Sequence, residues 1–301
     1  MKKYFFSAAV ALMALAATSC SQDESLVENG NVNGTVSFRV SLPTDGSITR
    51  AADASVRRYA MSIDGVDLGA ASGTSASIIN GTGTFDVSNL QAGKEYTAYF
   101  WADYDAADAT DPTYDVTWLT WVSLTKVKDA ETGEDTGESK PVSMAYCGKL
   151  TFTAGSAASY DVTLKRAVAK VNLVQTPAGQ SAGDWVTARY STATNYDVSN
   201  YAPHESSGST SQATYQQITE GTVADGTTLF SFYVLAPAAE ATLTDVALEV
   251  NNVAKATVTN VPMQANYQTN IKGAYINGAA NARFVVTTDD TWDGSKDDQT
   301  F

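Results

Sequence analysis

Thr35-Val-Ser-Phe-Arg-Val-Ser-Leu42 alternates without a break: Val36, Phe38, Val40 and Leu42 fall on one side, Ser37, Arg39 and Ser41 on the other. Successive side chains of a strand point to opposite faces, so this stretch suits a half-buried strand and does not suit a helix. Pro43-Thr-Asp-Gly46 closes it with turn residues. Shorter versions of the pattern predict strands over 56–63, 83–87, 95–102, 116–124, 150–153, 160–164, 230–235, 243–250, 255–261, 268–275 and 283–287. A helix is conceivable over 167–171, but the β-branched residues and Asn172 in Arg166–Val174 favour a strand. Asn251-Asn252 suits a two-residue hairpin turn. Residues 126–140 read as a charged loop or hairpin tip, and 176–184 and 199–213 as Ser-, Gly- and Thr-rich loops. Short strands with little helical periodicity predict an all-β chain of two sandwiches, 34–165 and 166–301.

The formal charge of −14 and the absence of a basic patch argue against a nucleic-acid partner. Charged residues make up only 17% of the chain, which fits a β-rich exported protein. There are two cysteines, Cys20 and Cys147. If Cys20 is committed to lipid, no intrachain disulfide is possible, and the fold must be held by its core. Cys147, just before a strand, reads as a buried structural thiol.

Residues 1–19 read as a signal peptide: Lys2 and Lys3 precede an apolar run, Tyr4–Ala17, too short to span a bilayer as a resident helix. Ala17-Thr-Ser-Cys20 resembles a bacterial lipobox, with Ala17 where Leu is usual, which implies lipidation of Cys20. The plainer alternative is a cleaved secretory signal with a cysteine nearby. Two or three acyl chains on Cys20 would suffice for stable anchoring. Ser21-Gln-Asp-Glu24 resembles the surface-export signal of Bacteroidetes lipoproteins, implying the outer face of the outer membrane. Residues 20–33 then form a polar tether.

Catalytic chemistry is hard to find. The single histidine, His204, lies in a Ser/Gly-rich stretch, and no Gly-x-Ser-x-Gly elbow is present. His204 and Cys147 are too few for a zinc site. Asp103, Asp105, Asp108 and Asp111, and Asp289, Asp290 and Asp293, are oxygen-rich, but neither group matches an EF-hand loop. The expectation is no enzyme, no cofactor and no metal. Trp118 and Trp121 could stack on a sugar, but their predicted strand is apolar on both faces, which points to core packing.

Four features together resemble the Bacteroidetes fimbrillin family of lipoprotein pilins. They are the signal ending at Cys20, the first strand followed by Thr49-Arg-Ala-Ala52, the central Leu164-Lys-Arg-Ala-Val-Ala-Lys-Val171, and the late Asn266-Tyr-Gln-Thr-Asn-Ile-Lys-Gly273. The resemblance implies two tandem transthyretin-like sandwiches. It also implies an arginine-specific protease that cuts between Arg50 and Ala51, after which the first strand leaves and a strand from another subunit fills its groove. Physical reasoning on the residues agrees. Burying Val36, Phe38, Val40 and Leu42 is worth on the order of 6–12 kcal/mol before entropy, and donor-strand pairing would replace both contacts and ladder. Exposed loop tips are preferred nicking sites. Arg57 and Arg58 are also available to a protease, though at the start of a predicted strand. Arg283–Thr287 is apolar enough to donate, while the tail beyond it is polar. The expected function is a structural and adhesive fimbrillin-like subunit of cell-surface fimbriae. Its partners would be other fimbrial subunits, in a homo- or hetero-polymer, the protease, the outer membrane through lipid, and a host or bacterial surface ligand. The alternative is a surface glycan-binding lipoprotein that is not cleaved.

Overall fold

A computed structural model describes residues 35–43, 58–68, 77–79, 82–106, 109–204, 208–276 and 283–289. The first strands are β1 (Val36–Ser41), β2 (Arg58–Ile63), β3 (Ser77–Ile79), β4 (Thr82–Val87) and β5 (Glu95–Asp103). Short pieces follow: β6 (Tyr114–Asp115), β7 (Val122–Leu124), β8 (Lys126–Lys128) and β9 (Asp135–Ser139). Then come β10 (Ala145–Thr153), β11 (Ser159–Thr163), β12 (Lys165–Arg166), β13 (Val168–Gln175), β14 (Gly179–Ser181) and β15 (Trp185–Ala193). Next are β16 (Asn195–Asp197), β17 (Ala202–Pro203), β18 (Ser209–Gln217), β19 (Gly221–Val223) and β20 (Thr228–Leu235). The last are β21 (Thr242–Val250), β22 (Val253–Met263), β23 (Gln268–Gly273) and β24 (Val285–Asp289). The all-β expectation stands.

The sheet orders repeat. β11-β1-β4-β3 faces β12-β10-β5-β2 across one core; β20-β13-β23-β24 and β18-β15-β21-β22 enclose another. Replace β1, β2, β4, β5, β10 and β11 by β13, β15, β20, β21, β22 and β23, and a run of three strands in each sheet is reproduced. Each group's first strand is interior, antiparallel to one neighbour and parallel to the other: β1 to β4 and β11, β13 to β20 and β23. A parallel pair cannot be closed by a hairpin, so both first strands are fixed by chain that comes much later.

The first core is aromatic. Phe38 packs its ring 5.1 Å from Phe152, 5.7 Å from Tyr160 and 5.8 Å from Phe100. The second is mainly aliphatic, with Val171, Leu173, Val186, Val246, Leu248, Val261 and Ile271 all buried. Two segments singled out in the sequence meet there: β13 runs parallel to β23 with Asn172 opposite Asn270. Asn172 Nδ2 donates to Asn270 Oδ1 (2.8 Å) and Gln268 Oε1 (3.1 Å), and its Oδ1 accepts from Ser231 Oγ (2.6 Å). Residues 195–203 leave the second group and join the first. β16 pairs with β7, and Tyr196 and Val198 are buried in the aromatic core.

Three expectations need correction. Of the strand expected over 116–124 only β7 forms, with β6 just before it and turns and bends through Thr117–Trp121. Trp118 and Trp121 are 74% and 52% exposed, so they are not core residues. The loop expected over 199–213 contains β17 and runs into β18, and the strand β15 was not anticipated. Of the two readings of residues 126–140, loop or hairpin tip, the structure has the hairpin, β8 with β9.

Candidate functional site

β1 is the element on which the sequence reading turns. Val36, Phe38, Val40 and Leu42 are each 4% exposed or less. Its register is Phe38 opposite Phe85 on β4 and Tyr160 on β11. A strand taken from this position would leave a lane between β4 and β11 with unpaired backbone on both sides. Neither flanking strand adjoins β1 in sequence, so removing it breaks no local hairpin. Pro43 is described, and the next described residue is Arg58. Cys20, Arg50 and Ala51 lie outside the described residues.

Arg58 is no cleavage candidate. It is 5% exposed, and its Nε donates to Asp103 Oδ1 (3.0 Å) while Nη2 also reaches Asp105 (3.1 Å) and Tyr114 O (3.0 Å). A protease that reads arginine must take that side chain into its own pocket, and Arg58 would have to leave two carboxylates to comply. Asp103 also accepts from Trp101 Nε1 (2.9 Å). Burial pushes the Asp103 carboxyl above its ordinary range, and the Arg58 guanidinium partly offsets this.

The described members of the first acidic group, Asp103, Asp105 and Asp111, have protein partners. Besides Arg58, Asp105 accepts from Thr113 N (2.7 Å), and Asp111 pairs with Lys140. Asp108, Asp290 and Asp293 lie outside the described residues. Among the described residues no cluster of His, Cys, Asp and Glu is arranged to hold a metal ion. Cys147 is buried, with Sγ 3.8 Å from Tyr196 Oη, and burial pushes its thiol up to about 12.

Exposed aromatics form two further features. Trp121 lies 4.1 Å, centroid to centroid, from His204 beside Trp118. Trp185 and Tyr215 line a groove on the outer face of β15 and β18. The sequence reading named the first two tryptophans and passed over Trp185 and Tyr215. β18, Ser-Thr-Ser-Gln-Ala-Thr-Tyr-Gln-Gln, has almost no apolar alternation. The available signal was Trp185-Val-Thr-Ala-Arg-Tyr190, whose Val186, Ala188 and Tyr190 alternate inward.

A family model described as "Family of unknown function (DUF6562)" matches residues 28–300. The chain belongs to the DUF6562 family. No curated protein sequence matches it. Among solved structures, the DUF6562 chain is similar to a "putative adhesin from Bacteroides ovatus". The identity is 12%, the TM-score 0.51, and the match covers 88% of this chain and 97% of that one. At that identity the likeness concerns the fold. Looser matches include a fimbrial protein from Bacteroides vulgatus (11% identity, TM-score 0.45, 85% and 99% covered). Another is the "putative polysaccharide binding proteins (DUF1812)" structure from Bacteroides thetaiotaomicron (12%, 0.46, 79% and 92%).

Proposed function

We propose that this DUF6562 chain is a fimbrillin-like subunit of surface fimbriae, structural and adhesive rather than catalytic, in which β1 is an exchangeable strand. One observation carries the reading. A strand with four buried side chains sits inside a sheet, touches no sequence neighbour there, and connects onward through the stretch 44–57 that contains Arg50. In this reading Cys20 is lipidated, the protein is held at the outer membrane surface, and cleavage between Arg50 and Ala51 frees β1. A strand from another subunit then enters between β4 and β11. β24 is a weak donor: Val285 is 46% exposed, and the strand offers mainly Phe284 and Val286 to the core. That supports a terminal or anchoring place in a fibre over a stalk place.

The test is digestion of the folded, non-lipidated chain with an arginine-specific protease, read by N-terminal sequencing and native mass. A single new terminus at Ala51, followed by oligomers, supports strand exchange. Resistance, with a monomer that stays whole, rejects it.

A second reading, an uncleaved surface lipoprotein that binds glycans, is favoured by the exposure of Trp118, Trp121, Trp185 and Tyr215.

A further inference from the structure

The groove on the second group of strands has a defined build. Trp185 on β15 and Tyr215 on β18 are diagonal neighbours, since Thr187 stands opposite Tyr215 and Trp185 opposite Gln217. Their ring centroids are 5.7 Å apart and their planes 55° apart. Trp185 is 44% exposed and Tyr215 63%, so each shows solvent a large part of its ring. Thr187 and Ala213 make a low floor, Arg189 lies further along, and Asn251 and Asn252 close the end. The cavity volume is about 620 Å³, within the range of small-molecule sites, roughly 300–1,000 Å³.

The wall is held from behind. Asn251 and Asn252 have φ of 51° and 62°, the left-handed conformation that a tight hairpin turn needs and asparagine tolerates. Asn251 Oδ1 accepts from Trp185 N (2.9 Å), Asn251 N donates to Trp185 O (2.8 Å), and Asn251 Nδ2 donates to Asp184 Oδ1 (2.7 Å). The backbone under the indole is thus fixed by the β21–β22 turn, so little order remains to be gained on binding.

Arg189 sets the ligand's charge. Its Nε donates to Glu249 Oε1 (2.9 Å) and Nη2 to Oε2 (3.3 Å). Glu249 neutralises the guanidinium and orients it, while the remaining N–H groups of the fork stay available. The local charge is balanced, and the chain as a whole is strongly acidic, so a polyanion would be repelled. The groove thus offers flat aromatic faces, a neutral fork of donors and acceptors, side-chain amides and a shallow floor. A pyranose ring is complementary to this: its C–H face stacks on an aromatic ring, and its hydroxyl edge pairs with guanidinium, carboxylate and amide groups. The separation of the two rings is close to the rise per sugar in an extended pyranose chain.

We propose that this groove binds a neutral, extended glycan of equatorially substituted pyranose units, one unit on Trp185 and the next on Tyr215. The proposal deepens the adhesive part of the reading above and rests on it, but is independent of strand exchange. The test titrates a chain spanning residues 21–301 with cellohexaose, xylohexaose, mannohexaose and hexagalacturonate, by calorimetry and tryptophan fluorescence. At least one neutral probe should bind saturably, and hexagalacturonate more weakly than it at low salt. Trp185→Ala and Tyr215→Ala should each weaken binding about tenfold or more, and Trp185→Phe less. Were Trp185→Ala to misfold, Tyr215→Ala gives the same readout at a more exposed position. The proposal is overturned by no saturable binding to any neutral probe, by affinity that survives loss of both rings, or by preference for hexagalacturonate. Dimerisation abolished by Trp185→Ala would also overturn it, by giving this face a protein occupant. None of these outcomes decides whether Arg50 is cut or whether oligomers follow that cut, so failure here and failure of strand exchange are told apart.

Discussion

β1 and β13 hold the same place in two sheets of one order, and both bury an alternating apolar face. What separates them is connection. β13 follows β12 after a single residue, Ala167, whose N donates to Ala145 O (2.9 Å) and whose O accepts from Ala236 N (3.1 Å). β13 is thus spliced into the first group of strands at one end and pinned in register by Asn172 at its middle. At the end of β1, Ser41 O accepts from Leu164 N (2.9 Å), and after Pro43 fourteen positions, 44–57, separate it from Arg58, the next described residue. If β1 is the exchangeable strand proposed above, equal burial does not make two strands equally permanent. A strand whose partners are all distant in sequence depends on its connector to stay.

Cutting that connector should produce the largest effect. A chain starting at Ala51 should lose on the order of 6–12 kcal/mol from the first group of strands, seen as early melting in calorimetry. A synthetic Thr35–Leu42 peptide should restore it. Full stability without the peptide would show that β1 is dispensable and end the contrast with β13. Next in size are single core changes. Phe38→Ala and Leu173→Ala should each cost roughly 2–5 kcal/mol in the intact chain by urea unfolding. After removal of residues 1–50 only Leu173→Ala should still be felt, because Phe38 has left. Asp103→Ala should cost about 3–5 kcal/mol, since it strands the buried Arg58 guanidinium, and it should make Arg58 newly cleavable by the protease.

Smaller effects follow from Cys147. The buried thiol is raised to about 12 in the fold, whereas an unfolded thiol ionises near its ordinary value of about 8.5. The folded form therefore keeps its proton longer. The stability it contributes is full below about pH 8.5 and is lost as pH rises from there toward 12. Thiol reagent should label native protein slowly at pH 8 and unfolded protein fast, and rapid native labelling would contradict the burial. Smallest of all, Trp118→Ala should move stability by no more than about 0.5 kcal/mol, as expected for an exposed side chain away from either core.

Strands whose alternation is strong were readable in advance. β1, β5, β20 and the β21–β22 hairpin lie within two residues of where the pattern put them, and Asn251-Asn252 makes the turn its residue types indicate. Residues 116–124 misled because apolar residues on both sides of a short stretch mimic a doubly buried strand. In the structure the chain turns there and shows both tryptophans to water. β18 escaped notice for the opposite reason. Its nine residues earn their place through the ladder to β15, not through a hydrophobic face, and ladder pairing leaves no mark on composition. The lane of β1 was legible as four residues but not as a lane, because its walls, β4 and β11, come from opposite ends of the first group of strands. The Trp185 groove was illegible for the same reason.

The excursion of residues 195–203 has a mechanical meaning. Tyr196 lies buried against Trp101 (5.9 Å between ring centroids), Tyr201 Oη accepts from Lys149 N (2.9 Å), and Lys149 Nζ donates to Ser199 O (2.7 Å). With β7 paired to β16, tension applied between the two groups of strands would be shared by these bonds and that pairing as well as by the peptide at Ala167.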